Sequence, residues 1–408
     1  MTIIIGGGPA GMMAAISAGS HETEVTLIEK NEYLGRKLLI TGGGRCNLTN
    51  ACSGEAFISR YSKTGNFLRN AFRGFDNTDL ISFFSERGLG IRAEDDGRIF
   101  PVTDKASSVL DILIEELEKL KINVLSKTSV KEVLLSGNTI KGVLCADGTR
   151  LEADKVIIAT GGVSYKATGS TGDGIKMAEK LGHKIIPLKP ALVALTLEST
   201  VPKRLEGVSL DDVKLIYRSE KKKVVSQKGS IIFTKDGLSG PVTLSSSSKV
   251  VDWLEDGKKV SLGIDILPDL SSEGSEKMLI KIFSEASGKG IKNILKEFVP
   301  VRVGEILLEL SGIPQDKQAS QITSKERKSL LMLLKSLKFE IANTVLFERA
   351  RITRGGVSTK EIDPRTMESK KIKGLFFAGE MIDVDGDCGG FNLQAAFSTG
   401  YLAGSSGI

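Results

Sequence analysis

The chain opens on a short apolar run, Thr2–Ile5, followed by a glycine turn and a stretch of small apolar residues from Pro9 to about Gly19. The first run is short and β-branched and predicts a buried strand, whereas the second is long enough for a helix. A further apolar run at Glu24–Ile28 predicts a second strand and completes a β-α-β unit. Helical spacing returns over residues 66–92, with Phe67, Phe72, Phe75 and Leu80 as an apolar face and no sign of a cofactor box. It returns again over 104–121, where Val109, Ile112, Leu113 and Leu117 share one side.

The pattern then changes. Val130–Leu135, Thr139–Ala146 and Thr149–Leu151 alternate, and Ser136-Gly137-Asn138 and Asp147-Gly148 divide them. These are hairpin signals, and they predict a short antiparallel meander. It leads into a buried strand, Lys155–Ala159, that ends in Thr160-Gly161-Gly162. Beyond Pro187 and Pro190, short β segments follow at Ala191–Leu197, Val213–Tyr217, Ser230–Phe233 and Val260–Ile266, with a charged tip at Ser219–Lys223. The run Ser245–Ser248 reads as surface. Residues 271–335 are helical in period, Ile341–Ile352 is strand-rich, and Gly374–Ala378 is a last strand before a helix that starts near Gly390.

This order predicts an α/β fold: a Rossmann-like nucleotide domain, three-layered and carrying the meander, over 1–188 and 362–408. It is interrupted by a β-barrel-like insert over 189–269 and 337–361, and by a helical insert over 270–336.

Composition narrows the chemistry. Glycine accounts for 45 of 408 residues without collagen-like periodicity, which points to several places where backbone passes close to something. Only two histidines occur, His21 and His183, so neither a His-centred triad nor a multi-His metal site is expected, and no metal is predicted. Cys46, Cys52, Cys145 and Cys388 form no Cys-x-x-Cys pair, and scattered thiols suit a reducing cytoplasm. The net charge of +6 tolerates an anionic ligand and is a weak signal for nucleic acid. Thr2–Ser20 is uncharged, but it lacks a basic leader and is broken by Gly6, Gly7, Gly8 and Pro9. It is therefore read as part of a cytoplasmic protein, not a signal or membrane segment.

The main chemical signal is Gly6-x-Gly8-x-x-Gly11, placed between a strand and a helix. The first glycine permits the turn, the second lets backbone approach a pyrophosphate, and the third allows close helix packing. Pro9 and Ala10 open the helix within it. Glu29 stands at the end of the second strand, where a carboxylate accepts hydrogen bonds from ribose hydroxyls and repels a 2′-phosphate. Two further strand-to-glycine signals follow, at Val156–Gly162 and at Leu375–Glu380. The order resembles that of flavoprotein disulfide-reductase-like and succinate-dehydrogenase-like folds, and by that analogy implies FAD in preference to NAD.

Longer blocks carry a family resemblance. They are Gly35–Asn47, Ala159–Gly162 with Tyr165, Gly169–Gly174, Arg354–Val357, Thr366–Ser369, Gly379-Glu380, Asp383–Gly386 and Gly389–Gln394. Through them the chain resembles the BaiN/YhiN-like NAD(P)/FAD-dependent flavoproteins of the aminoacetone-oxidase type, over essentially its whole length. The resemblance implies an FAD domain with the two inserts. It also implies cofactor contacts from Lys30, Arg36, Lys37, Thr41, Gly42, Gly43, Gly44, Arg45, Cys46 and Asn47 in the early block. Val130, Thr160, Gly161, Gly162 and Asp173 join them from the middle, and Gly379, Glu380, Asp383, Gly390, Phe391, Asn392 and Leu393 from the end.

Physically, Gly42–Gly44 is a candidate nest of N–H donors, and Arg45 a candidate for neutralising pyrophosphate. Residues 389–394 are a candidate helix N-terminus facing the flavin. Cys46 and Cys388 are read as packing residues in preference to redox thiols. Arg354, Tyr165 and Lys166 are the candidates for the substrate side.

The expected activity is hydride transfer at flavin N5 to or from a small molecule, which needs no histidine base. No second Gly-x-Gly-x-x-Gly follows a strand, so NAD(P)H, if it is the donor, binds transiently over the flavin; O2 is the alternative electron partner. A different class, a flavoprotein acting on RNA, draws on Lys221–Lys223 and on Lys370, Lys371 and Lys373.

Overall fold

β1 (Thr2–Ile5) is buried at every position, as a four-residue apolar run must be to lie between two layers. It feeds α1 (Pro9–Gly19), which is apolar over most of its circumference and buried from Ala10 to Ala18. β2 (Val25–Ile28), α2 (Ala106–Lys119), β3 (Asn123–Leu125) and β4 (Lys155–Ile158) follow, and β5 (Leu375–Phe377) and α3 (Phe391–Ser405) come from the far end of the chain. The computed structural model describes residues 1–21, 24–61, 64–342, 347 and 350–407.

The five strands form one parallel sheet in the order β5-β4-β1-β2-β3. The chain steps from β1 to β2 and β3 on one side, then crosses to β4 and β5 on the other. In open α/β sheets that reversal leaves a crevice at the carboxyl ends of the strands, where ligands bind. The expected meander is present as Val130–Ser136, Thr139–Cys145 and Arg150–Glu152.

α3 lies directly against α1. A Cβ at Gly400 would stand 2.2 Å from the Ala10 carbonyl oxygen, and one at Gly404 would stand 2.4 Å from that of Ala14. Only glycine lets the two helices approach this closely. The two ends of the sequence are thereby fixed to each other.

The chain divides into two units: Met1–Ala191 with Ala350–Ile408, and Leu192–Arg349. The second contains a seven-stranded sheet, in which Ser209–Ser219 pairs antiparallel with Gly229–Thr234, Ser261–Asp265 and Lys222–Val225. The helices Ser272–Glu285, Val301–Ser311 and Ser324–Lys335 belong to the same unit, so contacts do not separate a helical body over 270–336. Residues 350–361 fall in the first unit, and of the expected strand Ile341–Ile352, residues 343–346 and 348–349 lie outside the described part.

Two local readings change. The helix expected over 66–92 breaks into Arg69–Gly74 and Asn77–Ser85, because the Asp76 carboxylate accepts from the Thr78 and Asp79 N–H groups and starts a new helix. The serine run read as surface lies within the helix Pro241–Glu255, and Ser247 is fully buried with its hydroxyl donating to the Leu244 carbonyl.

Candidate functional site

The turn from β1 to α1 forms the floor of a cleft. Gly6, with φ +108°, sits where a Cβ would lie 2.6 Å from the Ala159 carbonyl oxygen on the neighbouring segment. A Cβ at Gly11 would lie 1.8 Å from the Gly6 carbonyl oxygen, so this glycine is required by the chain itself and stands behind the cleft wall. Gly8 differs. Its φ is −82°, and a Cβ there would meet nothing within 4 Å. The space in front of it is the cleft, which Gly6, Gly8, Pro9 and Ala10 line. No side chain caps α1, so its first-turn N–H groups and positive dipole end remain available to an anion.

Glu29 closes one end of the cleft and is nearly buried. Its Oε2 accepts from the Gly7 N–H at 2.7 Å, and its Oε1 accepts from the Asn31 N–H at 2.8 Å and from Asn31 Nδ2 at 2.6 Å. Three donors thus fix a carboxylate beside the turn. Arg36 donates to Asn31 Oδ1 at 2.8 Å, and Lys30 pairs with Asp173 at 2.6 Å. Val130, from the meander, and Thr160 and Gly161, after β4, line the same region. The Thr160 hydroxyl is buried and has no hydrogen-bond partner among the described residues.

The other end is built by the C-terminal segment, through Gly379, Glu380, Val384, Asn392 and Leu393, with Leu68, Arg351 and Ile352 beside them. An ion pair stands on the wall: Lys37 Nζ lies 2.6 Å from Glu380 Oε2 and donates to Ser164 Oγ at 2.8 Å. Glu380 Oε1 accepts from the Thr353 N–H at 2.8 Å and from Ser164 Oγ at 3.1 Å. Four separate segments meet in this network. Asn392 pins its own approach loop, accepting from the Gly386 N–H at 2.9 Å and donating to the Gly386 carbonyl at 2.8 Å.

These residues fit FAD. An open face at Gly8 beside a free helix N-terminus suits a diphosphate, and a fixed acceptor at Glu29 suits ribose hydroxyls. The cleft then continues along Glu380 to an apolar end at Val384 and Leu393, long enough in kind for the second half of a dinucleotide.

Much of the early block faces elsewhere. Thr41 lines the cleft, but Gly42, Gly43, Gly44, Arg45, Cys46 and Asn47 do not. The Arg45 guanidinium donates to Glu94 at 2.8 Å, lies 3.5 Å from Asp104 and stacks 4.0 Å over the Phe100 ring, so its charge is matched within the protein. Burial pushes the Cys46 thiol up to about 12, which leaves no thiolate at neutral pH. With its amide oriented to satisfy both ends, Asn47 accepts from the Gly390 N–H at 3.0 Å. Of the N–H groups expected to face the flavin, that of Gly390 is therefore occupied.

Other expected contacts are displaced as well. Phe391 packs in an aromatic cluster, 4.9 Å from Phe57 between ring centres. Gly162 is set behind Thr353, whose hydroxyl a Cβ would meet at 2.4 Å. Asp383 lies off the wall, its N–H donating to Val357, and burial raises its carboxyl against the opposing pull of Arg354. Arg354, Tyr165 and Lys166 are also off the wall. Arg351, Asn31, Ser164 and Thr353 were not singled out by sequence. Only their partners distinguish them, and those lie 2 to 216 positions away.

Comparison with known proteins places this architecture. The profile described as HI0933-like protein Rossmann domain matches residues 1–406. The 3-dehydro-bile acid delta(4,6)-reductase of Clostridium scindens is 34% identical over 403 residues, covering 98% of this chain and 97% of that one. The ribosomal RNA dihydrouridine synthase of Escherichia coli is 32% identical over 400 residues, covering 98% and 96%. Among solved structures, 3-ketosteroid delta1-dehydrogenase from Sterolibacterium denitrificans matches with a TM-score of 0.51 at 11% identity, covering 99% of this chain and 98% of that one, a likeness of fold. Among the described residues no helix is long and apolar enough to cross a membrane. The chain belongs to the HI0933-like Rossmann family, the BaiN/YhiN-type FAD-dependent oxidoreductases.

Proposed function

We propose that the protein reduces a carbon–carbon double bond conjugated to a carbonyl group, on a small molecule. The observation that carries this reading is the cleft itself. Its residues fit FAD, apolar side chains such as Ile352, Val384 and Leu393 line it, and among the described residues no cysteine or histidine does. The chemistry is then the cofactor's, and the protein's part is position and electrostatics. When bound, FAD in its reduced form supplies the hydride.

The chain's own residues hold the ends. The Gly6–Gly11 turn and the N-terminus of α1 take the diphosphate, Glu29 takes the ribose, and the Lys37–Glu380 pair with Asn392 and Leu393 fixes the far wall. Val130, Thr160 and Gly161 close the side, and Asp173 holds Lys30 in place.

Two relatives with unlike substrates support the bond type. A 3-dehydro-delta(4,6) bile acid carries double bonds conjugated to a 3-keto group. A dihydrouridine arises by saturating the ring C=C of uracil, which is also conjugated to a carbonyl. A second reading, that the double bond belongs to a uracil base in RNA, is favoured by full-length relatives at 32% and 31% identity with that name.

The test is anaerobic. FAD-loaded protein, reduced with dithionite, is mixed with a 3-keto-delta4 steroid, with cyclohexenone, or with a uridine-bearing ribosomal RNA fragment. Flavin reoxidation coupled to a product two hydrogens heavier is expected with an enone. Reoxidation by the RNA alone moves the assignment to the second reading, and none with any of the three overturns both. NADH and NADPH are compared as donors by bleaching of the oxidised flavin under the same conditions.

A further inference from the structure

Four cations line the cleft: Lys30, Arg36, Lys37 and Arg351. Two are ion-paired within the protein, and a third donates to a neutral amide. Lys30 is paired with Asp173 at 2.6 Å, Lys37 with Glu380 at 2.6 Å, and Arg36 donates to Asn31 at 2.8 Å. The side chain of Arg351 is exposed and makes no ion pair or hydrogen bond among the described residues. It lines the cleft together with Ile352, Val384 and Leu393. Its main chain is anchored, since its carbonyl accepts from Ser164, the residue that also serves the Lys37–Glu380 pair. A guanidinium on an anchored backbone, with no ion pair or hydrogen bond among the described residues, has its donors available to an anionic oxygen that enters the cleft and displaces water.

We propose that Arg351 binds the carbonyl oxygen of the substrate and carries the negative charge that develops there during reduction. The inference rests on the function proposed above and names the group that recognises the substrate. In that reaction a hydride adds to the β-carbon, the C=C π bond breaks, and its electron pair moves through the α-carbon onto the carbonyl oxygen. Water then protonates the α-carbon, so two electrons and two hydrogens are gained. The guanidinium carries five N–H donors and no acceptor, so it can donate to that oxygen both before and after the charge develops. Its charge is permanent, so it stabilises the oxyanion without acting as the proton source. The ring carbon bearing the hydride is then chosen by its distance from the anchored oxygen, which makes Arg351 a determinant of regiochemistry as well.

The test uses the FAD-loaded protein and needs no turnover. 4-Chlorophenol is titrated into the oxidised enzyme as a mimic of the enolate, across pH 6 to 9. A phenolate stacked on the flavin gives a long-wavelength absorbance. Wild type is expected to bind the phenolate and to lower the apparent pKa of the bound phenol. Arg351→Gln is expected to lose about tenfold or more of that affinity and, with an enone that wild type reduces, roughly 100-fold in kcat/KM, the scale of a lost oxyanion donor. Arg351→Lys should restore part of both, because it keeps the charge and loses the fork. FAD content and melting temperature of each variant report folding.

Phenolate binding by Arg351→Gln within twofold of wild type, or no phenolate binding by wild type, overturns the proposal. Arg351-dependent phenolate binding without reduction of any enone or uracil upholds the anion site and removes the proposed reaction. Equal enone reduction by wild type and Arg351→Gln does the reverse.

Discussion

Two glycine clusters open this chain, and they do different things. Gly6, Gly8 and Gly11 line or support the cleft, whereas Gly42, Gly43 and Gly44 lie off it. By composition the two look alike, each with three consecutive glycines. The difference lies in why each glycine is there. At Gly42 φ is +57° and a Cβ would come within 2.8 Å of the Asn47 nitrogen, so the backbone needs glycine for its own turn. At Gly8 φ is ordinary and the space is empty, so the chain alone has no need of it. A glycine that the fold does not require is the better indicator of a ligand.

Substitutions can break or sharpen that contrast. The largest effect is expected at Gly11→Val, where the side chain collides with the Gly6 carbonyl; a loss of about 3 kcal/mol or more should appear as insoluble protein or a steep drop in melting temperature. Gly8→Val should leave the melting temperature of the cofactor-free protein within a few degrees of wild type while FAD affinity falls roughly 100-fold, about 2.7 kcal/mol, by flavin-fluorescence titration. Wild-type affinity in that variant would end the distinction drawn here.

Gly43→Ala is the counterpart. With φ at +70° and nothing within 4 Å, it should cost about 1 kcal/mol of stability in chemical denaturation and leave flavin content unchanged.

The smallest effect concerns Cys46, which follows the second cluster. Burial raises its thiol from 9.0 to about 12. The folded state therefore holds a proton that the unfolded state releases between those values, and stability falls as pH rises from 9 through about 12. Cys46→Ala should flatten that part of the stability–pH curve, and wild type should resist iodoacetamide at pH 8 until it unfolds. Prompt labelling of the folded protein at Cys46 would place the thiol in an open site after all.

Strands β1, β2 and β4 were legible because short, largely β-branched runs have few other uses, and β5 because its run leads into a glycine turn, whereas β3 (Asn123–Leu125) carries no such signal and was not read. The first turn was legible because strand, spacing and a terminal acid agree within 29 residues. What stayed hidden depends on partners remote in sequence. Arg45 looks free until Glu94 is folded against it, and Lys37 meets Glu380 across 343 positions. Arg351 and Arg354 are equivalent in a string of letters, and only the placement of their strand puts one on the wall and the other off it. The helix Pro241–Glu255 was missed because a serine run has weak helical propensity, which the burial of Ser247 and of Val250, Val251 and Trp253 overrides.

The close seating of the last helix on the first has a consequence for biosynthesis. α1 is translated before α3, so the small-residue surface that Gly400 and Gly404 cover lacks that cover until those two residues have been made. During that interval the apolar face of α1 is open to water. The same late segment brings Gly379, Glu380, Asn392 and Leu393 to the cleft, so the step that covers the first helix also completes the cleft wall.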